Sequence, residues 1–286
     1  MRKITKRNFK ILCDFMEIRE FMVEIYERDW RNGVPAPFLE YALSSSWMDI
    51  SYTHRFCIWE EDGKIVAFVF HENPASDVYF SLRPGYEELA QEMVAYAGEH
   101  MPRPDGEHRL VIFEGQNAVM EAAQKAGYVK AFGYNDKVFD FSRELDYPLP
   151  EGFGFVEPGK LDYAKVAECC WKGFDHEQEE GPWDGQCEDM YRIMQAPHAT
   201  PLYPVAIENG KGEYVCFAGM WWTPENQLAY MEPLCTVPEQ RHKGLATAAL
   251  SELYRRMKPL GATHMTGGGN PFYEKIGFMP CIGWTF

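Results

Sequence analysis

The chain is short of positive charge, and its cysteines follow no ligand pattern. Twenty-eight Lys and Arg face 43 Asp and Glu, a formal net charge of −15. So acidic a chain lacks the basic face that a nucleic-acid partner needs. The eight cysteines form no Cys-x-x-Cys pair and no His/Cys ligand spacing, so neither a metal site nor a disulfide framework is expected. Cys169 and Cys170 fall on an expected helix, and Cys57, Cys216 and Cys235 in expected strands. Buried free thiols in a reducing, cytoplasmic setting are the reading. No stretch approaches the roughly twenty uninterrupted apolar residues of a membrane span. The basic start, Met1 to Lys10, precedes no long apolar run and no small-residue cleavage site, so no signal peptide is expected.

What is present suits packed domains. The 286 residues are 46% hydrophobic and 15% aromatic, enough for two domains with real cores. Periodicity predicts helices over 11–31, 38–44, 87–101 and 118–126, with strands at 55–59, 65–70, 78–82, 110–113 and 138–141. The second half repeats the order. It has a strand at 153–156, helices at 163–174 and 186–194, and a hairpin of 204–208 with 214–222. A strand at 228–237, a helix at 243–258, a strand at 263–266, a short helix at 272–275 and a last strand within 279–286 follow. The Pro/Gly-rich link Asp146 to Gly152 places the boundary between domains at 1–146 and 147–286. Glu121 to Tyr128 aligns with Pro271 to Phe278, Gly85 with Gly244, and the turn at Gly63-Lys64 with Gly210-Lys211, the self-match of two copies of one fold.

The stretch Tyr230 to Arg256 reads as a strand, a turn and an amphipathic helix. In the turn, Arg241-His242-Lys243-Gly244-Leu245-Ala246, a glycine and a small residue let the backbone approach a ligand closely. The first amides of the helix point outward at the positive end of its dipole, and three basic residues stand beside them. A diphosphate suits such a site.

The spacing R-x-x-G-x-A between a strand and a helix resembles the acyl-CoA pyrophosphate loop of the GNAT acetyltransferase superfamily. The approach through Leu234 to Val237 and Pro238-Glu239, and the later Asn270-Pro271-Phe272-Tyr273-Glu274-Lys275-Ile276-Gly277-Phe278, resemble that family's neighbouring motifs. The resemblance implies an α/β fold, with two GNAT-like domains in tandem, each a mixed, mostly antiparallel sheet flanked by helices, as in mycothiol-synthase-like members. It implies acetyl-CoA as co-substrate, with no metal. Amides of His242 to Ala246 would hold the pyrophosphate, with Arg241 beside them. The backbone of Leu234, Cys235 and Thr236 would pair with the pantetheine arm and polarise the thioester. Tyr273 stands where the family often places its general acid; its other reading is a packed aromatic. Asn270 either touches pantetheine or caps the short helix. Glu232, sharing a strand face with Tyr230 and Leu234 under simple alternation, is the candidate base; its other reading is a solvent-facing charge. The first half has Leu82-Arg83-Pro84-Gly85-Tyr86-Glu87 in place of the loop and Ala123 in place of Tyr273. It is expected to be degenerate, since Pro84 offers no N–H and Glu87 repels phosphate.

For the acceptor, the link between the first two helices of the second half carries Asp175, Glu177, Glu179 and Glu180 beside Trp183. It suits a small cationic amine, or is a solvated loop. The function implied is transfer of an acetyl group to a primary amine of a small molecule. The rival is an acyl-CoA-binding sensor without turnover, which would keep the loop and not need Tyr273.

Overall fold

The computed structural model describes residues 2–104 and 106–286. Chain contacts divide it into two units, Met1–Asp136 with Pro280–Phe286, and Lys137–Met279. The elements of the first half are β1 (Ile4–Asn8), α1 (Ile11–Ile25), α2 (Ala36–Ser44), β2 (Cys57–Glu61), β3 (Lys64–His71), β4 (Asp77–Leu82), α3 (Ala90–His100), β5 (Arg109–Phe113), α4 (Asn117–Lys125) and β6 (Gly133–Asp140). Those that follow are β7 (Phe153–Phe155), α5 (Tyr163–Gly173), α6 (His176–Glu179), α7 (Glu188–Ile193), β8 (Val205–Asn209), β9 (Tyr214–Ala218), β10 (Trp221–Thr223), β11 (Leu228–Tyr230), β12 (Leu234–Thr236), α8 (Leu245–Met257), β13 (His264–Thr266), α9 (Pro271–Lys275) and β14 (Met279–Thr285). Among the described residues no helix is long and apolar enough to cross a membrane.

In the first unit β1, β2, β3 and β4 pair antiparallel in turn, and β5 joins β4 in parallel. The strand β14 continues this sheet, its Trp284 and Thr285 lying antiparallel to Phe113 and Ile112 of β5. Trp59, Phe56, Phe68, Phe70, Phe80 and Phe113 are the large, fully buried side chains of this core. The strand β1 was not expected from the sequence. Its two basic residues, Lys6 and Arg7, mask a hydrophobic pattern, as charged residues do at sheet edges. The first helix stops at Ile25, six residues short of expectation. The chain then turns through Trp30 at φ +59° and Gly33 at φ +135°.

The second unit holds two groups of strands. One is β12-β9-β8-β7, antiparallel throughout. In the other, β10 pairs with β11, β11 runs parallel to β13, and β13 pairs antiparallel with residues 138–140 of β6. The helix α8 packs Leu245, Ala248, Leu253 and Met257 into the core with Val205, Ile207, Phe217 and Met265, and Arg255 and Arg256 complement the dipole in its last turn. The helix α5 starts on Asp162, whose carboxylate accepts from the amides of Ala164 and Lys165.

The Pro/Gly-rich link Asp146 to Gly152 lies within the second unit. The second unit takes its strand 138–140 from before Asp146, and the C-terminal strand is counted with the first unit. The internal repeat is visible in hydrogen bonds. Tyr128 N–H donates to Ala123 O as Phe278 N–H does to Tyr273 O, both at 3.0 Å. The intervening Gly127 and Gly277 stand at φ +89° and +99°.

Candidate active site

The expected strand 228–237 is two strands. Met231, Glu232 and Pro233 interrupt it, with a cis bond between Glu232 and Pro233. Gly219 lies opposite and separates β9 from β10; its amide donates to Pro233 O at 2.7 Å. A Cβ at Gly219 would sit 2.1 Å from Glu232 O and 2.7 Å from Pro233 Cδ, so only glycine admits this close approach. Before the break, β11 pairs with β13. At the break the Met231 amide donates to Thr266 Oγ1 at 2.8 Å, and beyond it β12 pairs with β9 alone. The Pro233–Gly219 and Val237–Val215 bonds put the odd-numbered residues on the β9 side, so by ladder alternation the backbone of Leu234 and Thr236 faces the outer edge.

Arg241 through Ala246 follow. His242 takes φ +63° and Gly244 φ +84°, bringing the chain into α8 with no side-chain cap. The amides of Leu245, Ala246 and Thr247 therefore have no intrahelical acceptor and lie at the dipole's positive end. His242, Lys243 and Gly244 are exposed, Ala246 is half-buried and Leu245 buried. Lys243 Nζ donates to Gln240 Oε1 at 2.6 Å. A Cβ at Gly244 would meet nothing closer than Thr247 Oγ1 at 3.7 Å and Pro150 Cγ at 3.9 Å, so the approach to this turn is open.

Arg241 is used otherwise than expected. Its guanidinium does not stand free beside the turn. Nε donates to Thr236 O at 3.1 Å, and Nη2 to Gly173 O and Asp175 Oδ2, both at 2.9 Å. Asp175, expected among the acidic residues that would face a cationic acceptor, is thereby ion-paired with Arg241. Glu177, Glu179 and Glu180 are exposed, and the Glu180 carboxylate lies 2.8 Å from His176 Nδ1. Trp183 is half-buried, its indole N–H donating to Gln186 O.

Tyr273 is buried at 8% exposure. Its ring lies on the Gly267-Gly268 backbone just after β13, between Phe272 and Phe278, each ring centroid 5.2 Å away. Asn270 caps α9, its Oδ1 accepting from Phe272 N–H at 2.8 Å, with Pro271 at the first helical position. Glu232 is half-buried at the break itself; the alternation that put it on one face with Tyr230 and Leu234 does not run through the interruption. The Cys235 side chain turns to α5, its Sγ 3.9 Å from Cys170 Sγ and 3.7 Å from Cys169 O. A glycine at 173 leaves it room. Burial pushes the neighbouring Cys216 thiol up to about 12, so at neutral pH it is a protonated packing group. Among the described residues no group of three or more His, Cys, Asp or Glu is arranged to hold a metal ion.

The corresponding strand end in the first unit is closed by its own chain. Past Tyr79, where β4 and β5 last pair, Gln116 bridges them: Nε2 donates to Phe80 O and Oε1 accepts from Phe113 N–H, both at 2.9 Å. The Leu82 amide donates to Asn32 O at 2.8 Å. Trp30 is buried beside Phe113, the ring centroids 5.3 Å apart. At the start of the next helix the Gly85 amide donates to the Glu87 carboxylate at 2.8 Å. No motif or period in the sequence marks Gln116 or the turn at Trp30–Gly33. The one signal for Gly219 and Pro233 was a glycine and a proline inside strand patterns.

Residues 168–278 match the model of the acetyltransferase (GNAT) family. No curated protein matches by sequence. Among solved structures, the chain is similar to a GCN5-related N-acetyltransferase from Sphaerobacter thermophilus at 15% identity and TM-score 0.60, covering 99% of this chain and 94% of that one. It is similar to a tandem GNAT protein from the clavulanic acid biosynthesis pathway at 13% identity and TM-score 0.60, over 99% and 98%. A GNAT-family acetyltransferase from Colwellia psychrerythraea gives 11% identity and TM-score 0.61, over 99% and 98%. These likenesses bear on the fold, a tandem arrangement of GNAT-like units.

Proposed function

We propose, from the match of residues 168–278 to the GNAT acetyltransferase model, that the chain transfers an acetyl group from acetyl-CoA to a primary amine of a small, cationic acceptor, and that the second unit alone holds the donor. The observation that carries this reading is the contrast between the two strand ends. Leu234 and Thr236 present backbone to an edge beside an uncapped helix start, which suits pantetheine followed by diphosphate. In the first unit Gln116, Asn32 and Glu87 already take the equivalent groups.

In this reading the amides from His242 to Ala246 bind the diphosphate, and a β12 amide polarises the thioester carbonyl. Glu232 accepts a proton from the amine as its nitrogen attacks the carbonyl carbon. The carbon–sulfur bond breaks and the Tyr273 hydroxyl protonates the leaving thiolate, giving an amide and free CoA thiol. Glu177, Glu179 and Glu180 supply negative charge near the acceptor, and Trp183 an apolar face. Asp175, paired with Arg241, does not.

Calorimetric titration of acetyl-CoA, with a thiol-release screen over polyamines, aminoglycosides and amino-acid derivatives, tests the reading. One donor site per chain and turnover on a cationic amine are expected. Two sites per chain would refute the assignment to the second unit. Binding without turnover on any amine would favour a sensor. For an acceptor so found, replacing Glu177, Glu179 and Glu180 by Gln should raise its KM; an unchanged KM refutes the acidic acceptor face.

A further inference from the structure

The three hydrogen bonds of Arg241 end on three different elements. Thr236 is the last residue of β12. Gly173 is the last residue of α5, where a carbonyl lies beyond the helix's own hydrogen bonds and favours a cation. Asp175 opens the turn that runs into α6, at φ +64°. A planar guanidinium with its N–H groups in a fixed fork can hold such a set; a lysine ammonium of the same charge cannot span it. Arg241 is also the first residue of the turn that leads to Gly244.

We infer that Arg241 and Asp175 are positioning residues that fasten the diphosphate turn to the end of β12 and to the 174–181 turn, so that donor binding and the order of that turn are coupled. This rests on the donor reading above and changes the part Arg241 plays in it: the guanidinium locks the loop, and the backbone amides after it meet the ligand. Asp175 acts without touching donor or acceptor. The coupling is reciprocal: an ordered 174–181 turn favours the loop conformation by the same free energy by which that loop conformation favours the ordered turn.

The test compares the full chain with Asp175→Asn, Asp175→Gly, Arg241→Lys and the double variant Asp175→Asn/Arg241→Lys, with acetyl-CoA as the probe. Asparagine and glycine both accept a left-handed backbone, so the two Asp175 variants remove the carboxylate without forcing the turn. Both should weaken acetyl-CoA binding by about three- to tenfold, the size expected of a half-exposed, charge-assisted bond. Arg241→Lys should weaken it at least as much, and the double variant should match the worse single one rather than the product of the two. Hydrogen exchange should show that acetyl-CoA protects amides in 174–181 of the unaltered chain and not of the Asp175 variants, a readout that mere stabilisation of the fold would not move. Binding within twofold in either Asp175 variant, multiplicative effects in the double variant, or no ligand-induced protection of 174–181 overturns the inference while leaving the donor site standing. An unaltered chain that binds no acetyl-CoA overturns both.

Discussion

Gly244 allows charge to be separated from backbone geometry at the proposed diphosphate site. Its φ of +84° makes any L-residue there cost about 1 kcal/mol, and asparagine and aspartate tolerate that conformation best. Steric cost adds nothing, since the nearest atoms to a built Cβ are 3.7 and 3.9 Å away. Gly244→Asn and Gly244→Asp are isosteric and differ in one negative charge, which the helix dipole favours in the free protein by only about 0.3–1 kcal/mol. A carboxylate about 5 Å from a phosphate charge, at an effective dielectric between 20 and 80, repels it by roughly 0.8–3.3 kcal/mol. Acetyl-CoA should then bind about 4- to 250-fold more weakly to the Asp than to the Asn variant. Calorimetry at low salt reads the ratio, and repeating it near 1 M salt, where screening acts within about 3 Å, should shrink it. An acetyl thioester of N-acetylcysteamine, which has no diphosphate, should show no difference between the variants. Equal binding of acetyl-CoA by matched, folded Asn and Asp variants would refute the placement of the diphosphate at this helix start.

Three other outcomes are expected. Tyr273→Phe should lower kcat by about 10²–10⁴, the usual worth of a positioned proton donor, with the acetyl-CoA dissociation constant unchanged; a fall of less than threefold would make Tyr273 a packing residue. Gly219→Ala should cost about 1–3 kcal/mol by overpacking, because the new methyl would lie 2.1 Å from Glu232 O. It should also weaken acetyl-CoA binding, and an unaltered urea midpoint would show that the break in the strand is not held as described. His71 is buried at 0% exposure with Nδ1 on Glu72 O and, among the described residues, no partner at Nε2, and burial holds it below its ordinary value of 6.5. The unfolded chain therefore binds more protons below about pH 6.5, so unfolding free energy should fall as pH drops from 7 toward 5. His71→Gln should flatten that slope, and an identical slope in the variant would exclude His71 as its source.

The turn at the helix start was legible because its chemistry is local: a glycine, a following small residue and a 3.6-residue period all lie within one stretch. The same holds for the repeat, whose Gly127 and Gly277 occupy one backbone conformation in equivalent turns. The break at Glu232 was missed because apolar alternation reads smoothly across Tyr230 to Val237. Only Pro233, and Gly219 across the hairpin, argued against continuity, and a period count gives single residues little weight. The Arg241–Asp175 pair was out of reach for another reason. Sixty-six positions separate the two, and each charge, read alone, points to a ligand: a cation beside a diphosphate turn, an anion in an acidic loop. Folding lets them satisfy each other.

The same logic distinguishes the two units more sharply than their motifs do. A strand that parts from its parallel neighbour exposes backbone donors and acceptors, which must be paired by something. In the first unit the chain supplies the partners: a glutamine side chain for Phe80 O and the Asn32 carbonyl for the Leu82 amide. In the second unit the break at Glu232-Pro233 turns the parted segment into an edge, and Arg241 takes the Thr236 carbonyl at its far end. The edge groups of Leu234 lie between that carbonyl and the break. A ligand bound there needs an amide-bearing arm to match the strand and an anion to match the helix start, the two features that acetyl-CoA joins in one molecule. If the second unit alone holds the donor, as proposed, the first unit is set apart less by lacking a glycine-rich loop than by its own chain pairing the strand-end groups that the arm would meet.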